Sequence, residues 1–180
     1  MEIYAPENLE DAINLVNNAK FAFCHYITPN DLGITGGHQC GFYFPHYAEP
    51  MFYNKYQKKG ENQEVNLTIL WQNNFTTQSK AKFYGRGTRN ENRLTTFGRG
   101  FEFMQEKYLG SLLILTRDEA DTFNAYVLSE QNNIESFMAS FNLWIGDGNQ
   151  MIKSESLNKS LFYYPHFLFD FVHFHRRSIY

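Results

Sequence analysis

Residues 64–72, EVNLTILWQ, alternate with a period of two: Val65, Leu67, Ile69 and Trp71 fall on one face, and Glu64, Asn66 and Thr68 on the other. Only an extended strand sends successive side chains to opposite faces, so this stretch reads as a half-buried β-strand. Towards the C-terminus, further strands are expected at 80–85, 93–98, 109–117 and 123–129, with short turns between them. Towards the N-terminus, KFAFCHYIT (20–28) and CGFYFPHY (40–47) read as strands. Between those two lies PNDLGITGGHQ (29–39), whose Pro, Asn, Asp and glycines are turn formers.

Helices are few and short in this reading. Leu9, Ala12, Ile13 and Val16 recur at helical spacing over 7–18, and Glu7, Glu10 and Asp11 suit the positive end of that helix. AEPMFYNKY (48–56) and ESFMASFNLW (135–144) are the other helical candidates, and the aromatic SLFYYPHFLFDFVHFH (160–175) looks strand-like. With no internal repeat and no linker, the 180 residues are expected to form one domain, 1–180, of mainly-β (α+β) class. Its 18 Phe and 12 Tyr fit that class, because flat rings pack well on a pleated surface.

Composition removes several function classes. The N-terminus carries acids early and lacks the apolar run of a signal peptide, and no window reaches the length of a membrane helix. Two cysteines, Cys24 and Cys40, make neither a zinc pattern nor a disulfide framework. A cytoplasmic protein with no membrane partner is the expectation.

Several motifs dissolve on inspection. DEAD (118–121) lacks any accompanying GxxxxGK phosphate loop and reads as a hairpin turn. His173 and His175 share a strand face but have no third ligand nearby, so no metal site is expected. Cys24 and His25 are adjacent on a strand, point to opposite faces and cannot pair as nucleophile and base. None of the nine lysines has an acid two residues before it, which removes the acidic-lysine core of many restriction-type nucleases; HxK is absent as well. No catalytic residue is assigned. A self-contained metal-dependent nuclease with an unrecognised site remains the alternative, which cleavage with magnesium decides.

One segment stands out. GRGTRNENRLTTFGRG (85–100) holds four of the seven arginines of a chain whose net charge is −3. From Lys82 to Arg99 there are five basic residues and a single acid, Glu91. The planar arginine fork matches guanine O6 and N7 bidentately, Glu accepts from the cytosine amino group, and Asn bridges adenine N6 and N7. Arg89, Asn90, Glu91, Asn92 and Arg93 thus form a compact kit for reading base edges, and an acidic protein binds DNA when its basic residues gather locally. In NDLGITGGHQ, Asp31, Thr35, His38 and Gln39 supply polar tips, and Gly33, Gly36 and Gly37 allow close backbone approach. An aromatic-rich carbohydrate or small-ligand barrel is the competing reading outside nucleic-acid binding, and salt dependence separates the two.

NDLGITGGHQCGFYFP (30–45) and TRNENRLTTFGRG (88–100) together resemble the two signature segments of the N-terminal effector domain of EcoRII-type restriction endonucleases. Weaker similarity runs to about residue 150. The resemblance implies a B3-like fold, a seven- or eight-stranded β pseudobarrel with two or three short helices that grips the major groove of duplex DNA with two arms. It makes 30–39 the N-arm and 86–99 the C-arm, and implies a target like 5′-CCWGG. In the C-arm, Glu91 and Arg93 match the family's E-K-R triplet, Asn92 replaces its lysine, and Phe97 stands where the family has tryptophan. Arg86, Arg89 and Arg93 are assigned to guanines or adjacent phosphates, Glu91 to a cytosine, and Asn92 to the neighbouring base pair. His38 and Gln39 are assigned to bases from the other arm. Asp31 either braces the loop or accepts from cytosine, while Lys82 and Arg99 suit phosphates. The domain itself is expected to need no cofactor and to bind duplex DNA as a monomer. Its parent would be a prokaryotic type II restriction endonuclease with a magnesium-dependent nuclease domain; a B3-like transcriptional regulator is the bland variant.

Overall fold

A computed structural model describes residues 7–36, 40–53 and 55–154 of the chain. It contains one eight-stranded sheet in the order β2-β5-β4-β3-β7-β6-β1-β8. The strands are β1 (Phe21–Tyr26), β2 (Phe42–Phe44), β3 (Gln63–Trp71), β4 (Phe75–Tyr84), β5 (Glu91–Thr95), β6 (Leu112–Arg117), β7 (Phe123–Leu128) and β8 (Asn149–Lys153). Helices α1 (Leu9–Asn17) and α2 (Gln131–Ser140) flank the sheet, with four short 3-10 segments between strands. This is the mainly-β pseudobarrel expected from the sequence.

β3 joins the two halves of the sheet. β3 pairs antiparallel with β4 along its whole length, and its C-terminal end, Ile69–Trp71, pairs parallel with β7. It therefore joins two antiparallel halves, β2-β5-β4-β3 and β7-β6-β1-β8. Where β3 ends, the Gln72 side chain takes the place of a strand residue: its amide donates to the Val127 carbonyl at 3.3 Å and its carbonyl accepts from the Val127 N–H at 2.6 Å.

The alternation places two cores. Inside the barrel, Phe23, Phe42, Phe44, Trp71, Phe83 and Leu94 pack together. Outside, the β7-β6-β1 wall is covered by the helices, with Ala22, Cys24, Leu112 and Ile114 against Val16, Ile134 and Phe137. Burial there pushes the Cys24 thiol up to about 12, so it is an inert packing group. The outer face of the other wall, β2-β5-β4-β3, has no helix over it among the described residues, and it carries Glu64, Lys80, Lys82, Glu91 and Arg93.

Boundaries differ from the sequence expectation where local chemistry intervenes. β4 begins at Phe75 rather than 80, because its early core-facing residues are hydroxyls: Trp71 Nε1 donates to Thr77 Oγ1 at 2.9 Å, which in turn meets Ser79 Oγ at 2.8 Å. β2 lasts three residues, and Pro45, which has no N–H to continue a ladder, precedes the 3-10 segment His46–Met51. β5 spans 91–95 rather than 93–98, because Thr96 turns the chain with φ 67°. α2 starts at Gln131 rather than 135, and its exposed N-terminal amides are met by a distant side chain: Glu7 accepts from the N–H groups of Ser129 and Glu130. The DEAD segment is a hairpin turn in which Asp118 Oδ1 accepts from the Ala120 and Thr122 N–H groups. The aromatic stretch 160–175, with His173 and His175, lies outside the described residues.

Candidate nucleic-acid interface

On the uncovered wall, register alone gathers one row of side chains. Tyr43 on β2 lies opposite Arg93 on β5, Arg93 opposite Lys82 on β4, and Lys82 opposite Glu64 on β3. Residues two apart share a face, so Glu91, Lys80 and Tyr84 join this row on the outer side. Asn92 and Leu94 point the other way. Asn92 is 1% exposed and donates to the buried Glu49 at 2.8 Å, so it faces the barrel interior and not a base. The run Glu91-Asn92-Arg93 reads as one cluster in sequence, but the pleat divides it.

Beyond β4 and β5 the hairpin 85–90 projects, and Arg86 to Asn90 are all exposed. The Arg89 N–H closes a turn onto the Arg86 carbonyl at 3.3 Å, with Gly87 at φ 64° as the first central residue, a conformation glycine adopts without a Cβ penalty. Arg89 lies over the Tyr84 ring at 5.3 Å, which steadies its guanidinium at the root of the hairpin. Arg99 is exposed in a separate turn past the far end of β5, between Gly98 (φ 91°) and Gly100 (φ 73°). The arginine-rich segment is thus two loops separated by a strand rather than one continuous arm.

Lys80 and Lys82 both approach Glu64, at 2.7 and 3.7 Å. The hydrogen bond from Lys80 holds the Glu64 carboxyl below the usual carboxylate range. Lys82 is the looser partner, and hence the more available cation.

The turn-rich segment after β1 is held at its root. Asp31 is fully buried. Its Oδ2 accepts from His25 Nε2 at 2.7 Å, from the Thr28 N–H at 2.8 Å and from Thr28 Oγ1 at 2.5 Å, while Oδ1 accepts from the Tyr43 N–H at 2.9 Å. Burial works against its ionisation, but the hydrogen bonds and charge of His25, with those of Thr28, outweigh it and hold the carboxyl below its ordinary value. With its acceptor positions filled by the chain, Asp31 braces the loop. His25 Nδ1 continues to Asn149 on β8 at 2.8 Å, and the Tyr47 hydroxyl donates to the Asn149 carbonyl at 2.7 Å. β2 and β8 are the two ends of the sheet with no ladder between them among the described residues, and the seam is bridged by Asp31, between Tyr43 of β2 and His25 of β1, and by the Tyr47 hydroxyl on the Asn149 carbonyl. Thr35 is exposed on the loop. His38 and Gln39 lie outside the described residues.

Arg93 ties the two loop roots together. It is 2% exposed, Nη1 donates to the Gly41 carbonyl at 3.0 Å, and Nη2 lies 3.4 Å from Glu91. Gly41 is required there: at φ 142°, an added Cβ would lie 2.6 Å from the Leu94 carbonyl oxygen. Sequence reading missed Lys80, Tyr84 and Tyr43 in this array. The period-two pattern of SKAKFY carried the signal for the first two, and only the strand register reveals the third.

The family model for the N-terminal domain of restriction endonuclease EcoRII matches residues 16–151. Among 19 matching solved chains is the crystal structure of the UbaLAI restriction endonuclease B3 domain with cognate DNA. It is 21% identical, with a TM-score of 0.51, and the match covers 79% of this chain and 96% of that one. That likeness is one of fold. No curated protein matches the chain.

Proposed function

The chain belongs to the family of the N-terminal domain of restriction endonuclease EcoRII, and from that membership we propose that it recognises a specific sequence in duplex DNA without cutting it. The observation that carries this reading is the uncovered sheet wall: it bears Lys82, Glu91 and Arg93, extends into the Arg86–Asn90 hairpin, and is joined at Arg93 to the root of the Asp31–Thr35 loop. The two loops enter the major groove as arms. Arg86 and Arg89 read guanines or hold the phosphates beside them, Asn90 and Glu91 read an adenine and a cytosine amino group, and Arg93 orders Glu91 from the same side of the sheet. Thr35, His38 and Gln39 act from the other arm, with Asp31 as its brace. Lys82 and Arg99 hold phosphates and set the register of the complex without specifying sequence.

The target resembles 5′-CCWGG, and the domain binds it as a monomer. Its partner is a magnesium-dependent nuclease domain of a prokaryotic restriction enzyme, which recognition positions or activates. The test is a salt titration of duplex affinity for the native chain and Lys82→Ala. Affinity should fall steeply with salt, by ~0.9 in log K per log salt for each phosphate held. Lys82→Ala should weaken cognate and scrambled duplexes alike and make that slope shallower by about 1. Affinity that does not respond to salt would contradict the reading and favour a neutral ligand.

A further inference from the structure

The loop entering β3, residues 55–61, carries Lys55, Lys58 and Lys59, all exposed. Among the described residues none of the three has an acidic partner within ion-pair distance, whereas Lys80, Lys82 and Lys107 each sit on a glutamate. Three like charges within five residues repel one another, and a polyanion relieves that repulsion. The loop also walls an open groove of about 500 Å³ that these lysines line with Tyr56 and Glu61.

The loop is built onto the root of the arginine hairpin. At its start the Gln57 N–H donates to the buried Glu49 at 2.8 Å, the same carboxylate that holds Asn92 of β5. At its end the Gly60 N–H donates to the Gly85 carbonyl at 2.8 Å, and Asn62 Oδ1 accepts from the Gly85 and Arg86 N–H groups at 3.1 and 3.2 Å. Gly85 lets the two segments meet: an added Cβ would clash with the Glu61 carbonyl and the Phe83 ring. The loop backbone therefore keeps a fixed relation to the root of the hairpin at Gly85 and Arg86, and β3, which it enters, lies on the side of the β4-β5 pair away from β2.

We infer that the 55–61 loop is a second phosphate-binding element, which grips the DNA backbone outside the base pairs that are read and lengthens the footprint on one flank. This rests on the DNA-recognition reading above. The experiment compares the native chain with a Lys55→Gln, Lys58→Gln, Lys59→Gln triple variant on two duplexes carrying the same 5′-CCAGG centre. One duplex has about two flanking base pairs on each side and the other about twelve.

On the long duplex the native chain should bind more tightly than the variant at low salt. With ~0.9 in log K per contact, three lost contacts shrink that advantage about 40-fold between 50 and 200 mM salt. On the short duplex the two proteins should bind alike, and a triple Lys→Arg variant should retain the long-duplex advantage. No loss on the long duplex, or equal losses on both, would overturn the proposal and leave the arm reading intact. Failure of the native chain to bind either duplex would remove the recognition reading itself, and the loop's role with it.

Discussion

Replacing Asp31 by alanine is expected to cost about 3–5 kcal/mol of folding stability, since each buried donor left without its acceptor costs about 1–3 kcal/mol. The substitution leaves His25 Nε2, the Thr28 N–H and hydroxyl, and the Tyr43 N–H without their acceptor. These groups belong to β1, the following loop and β2, so the seam between the two ends of the sheet opens with them. Asp31→Asn should fare little better, because an amide NH₂ then faces donors. The effect depends on pH in a definite direction. The native carboxyl titrates below its ordinary value of 3.8, so its stabilisation is complete above that value and is lost as pH falls through the native one. Urea unfolding at pH 7 and at pH 3 should therefore show a wide gap between the native chain and Asp31→Asn that narrows in acid. An alanine variant within about 1 kcal/mol of the native chain would show that the brace is dispensable, since several buried donors lose their acceptor at once.

Arg93→Ala should lower affinity for the cognate duplex by about 10- to 100-fold, corresponding to ~1–3 kcal/mol for one good base contact, and change scrambled-duplex affinity far less. Arg93 lies on the outer face of β5, yet its guanidinium is held by the Gly41 carbonyl and by Glu91. Its loss removes one partner of the Glu91 carboxylate and loosens the loop that follows Asp31, so discrimination suffers before electrostatic attraction does. Arg93→Lys should recover only part of the loss, because one ammonium cannot reproduce a planar fork bonded at two ends. Competition binding with both duplexes, on variants checked by thermal melting, measures this. Equal losses on cognate and scrambled DNA would contradict a part in specificity.

The legible part of this protein was the part written in hydrophobic period. Val65, Leu67, Ile69 and Trp71 announced β3 because a half-buried strand must alternate, and the paired loop motifs announced the family. What stayed hidden has physical causes. The first half of β4 turns Thr77 and Ser79 inward, where a hydrogen bond from Trp71 makes hydroxyls acceptable in a core. β8 is half-buried along its length and shows no apolar face. α2 was misplaced by four residues because its N-terminus is met by Glu7 from far away in sequence, a signal no local pattern contains. In the candidate interface, residue types were legible but directions were not. Asn92 turns inward between two outward neighbours, and Asp31 is consumed by its own loop. The closeness of the cationic loop at 55–61 to the arginine hairpin comes from strand pairing, so no local pattern in the sequence announces it.

We propose that this chain reads DNA sequence through the uncovered wall and its two loops. Fluorescence anisotropy on a 5′-CCWGG duplex against a scrambled duplex of equal length, at about 150 mM salt, where charges more than ~8 Å apart are largely screened, tests it most directly. A preference of about 1000-fold or more, the lower range for specific binders, is the predicted result. Equal binding to both duplexes, weak and lost with added salt, would contradict it.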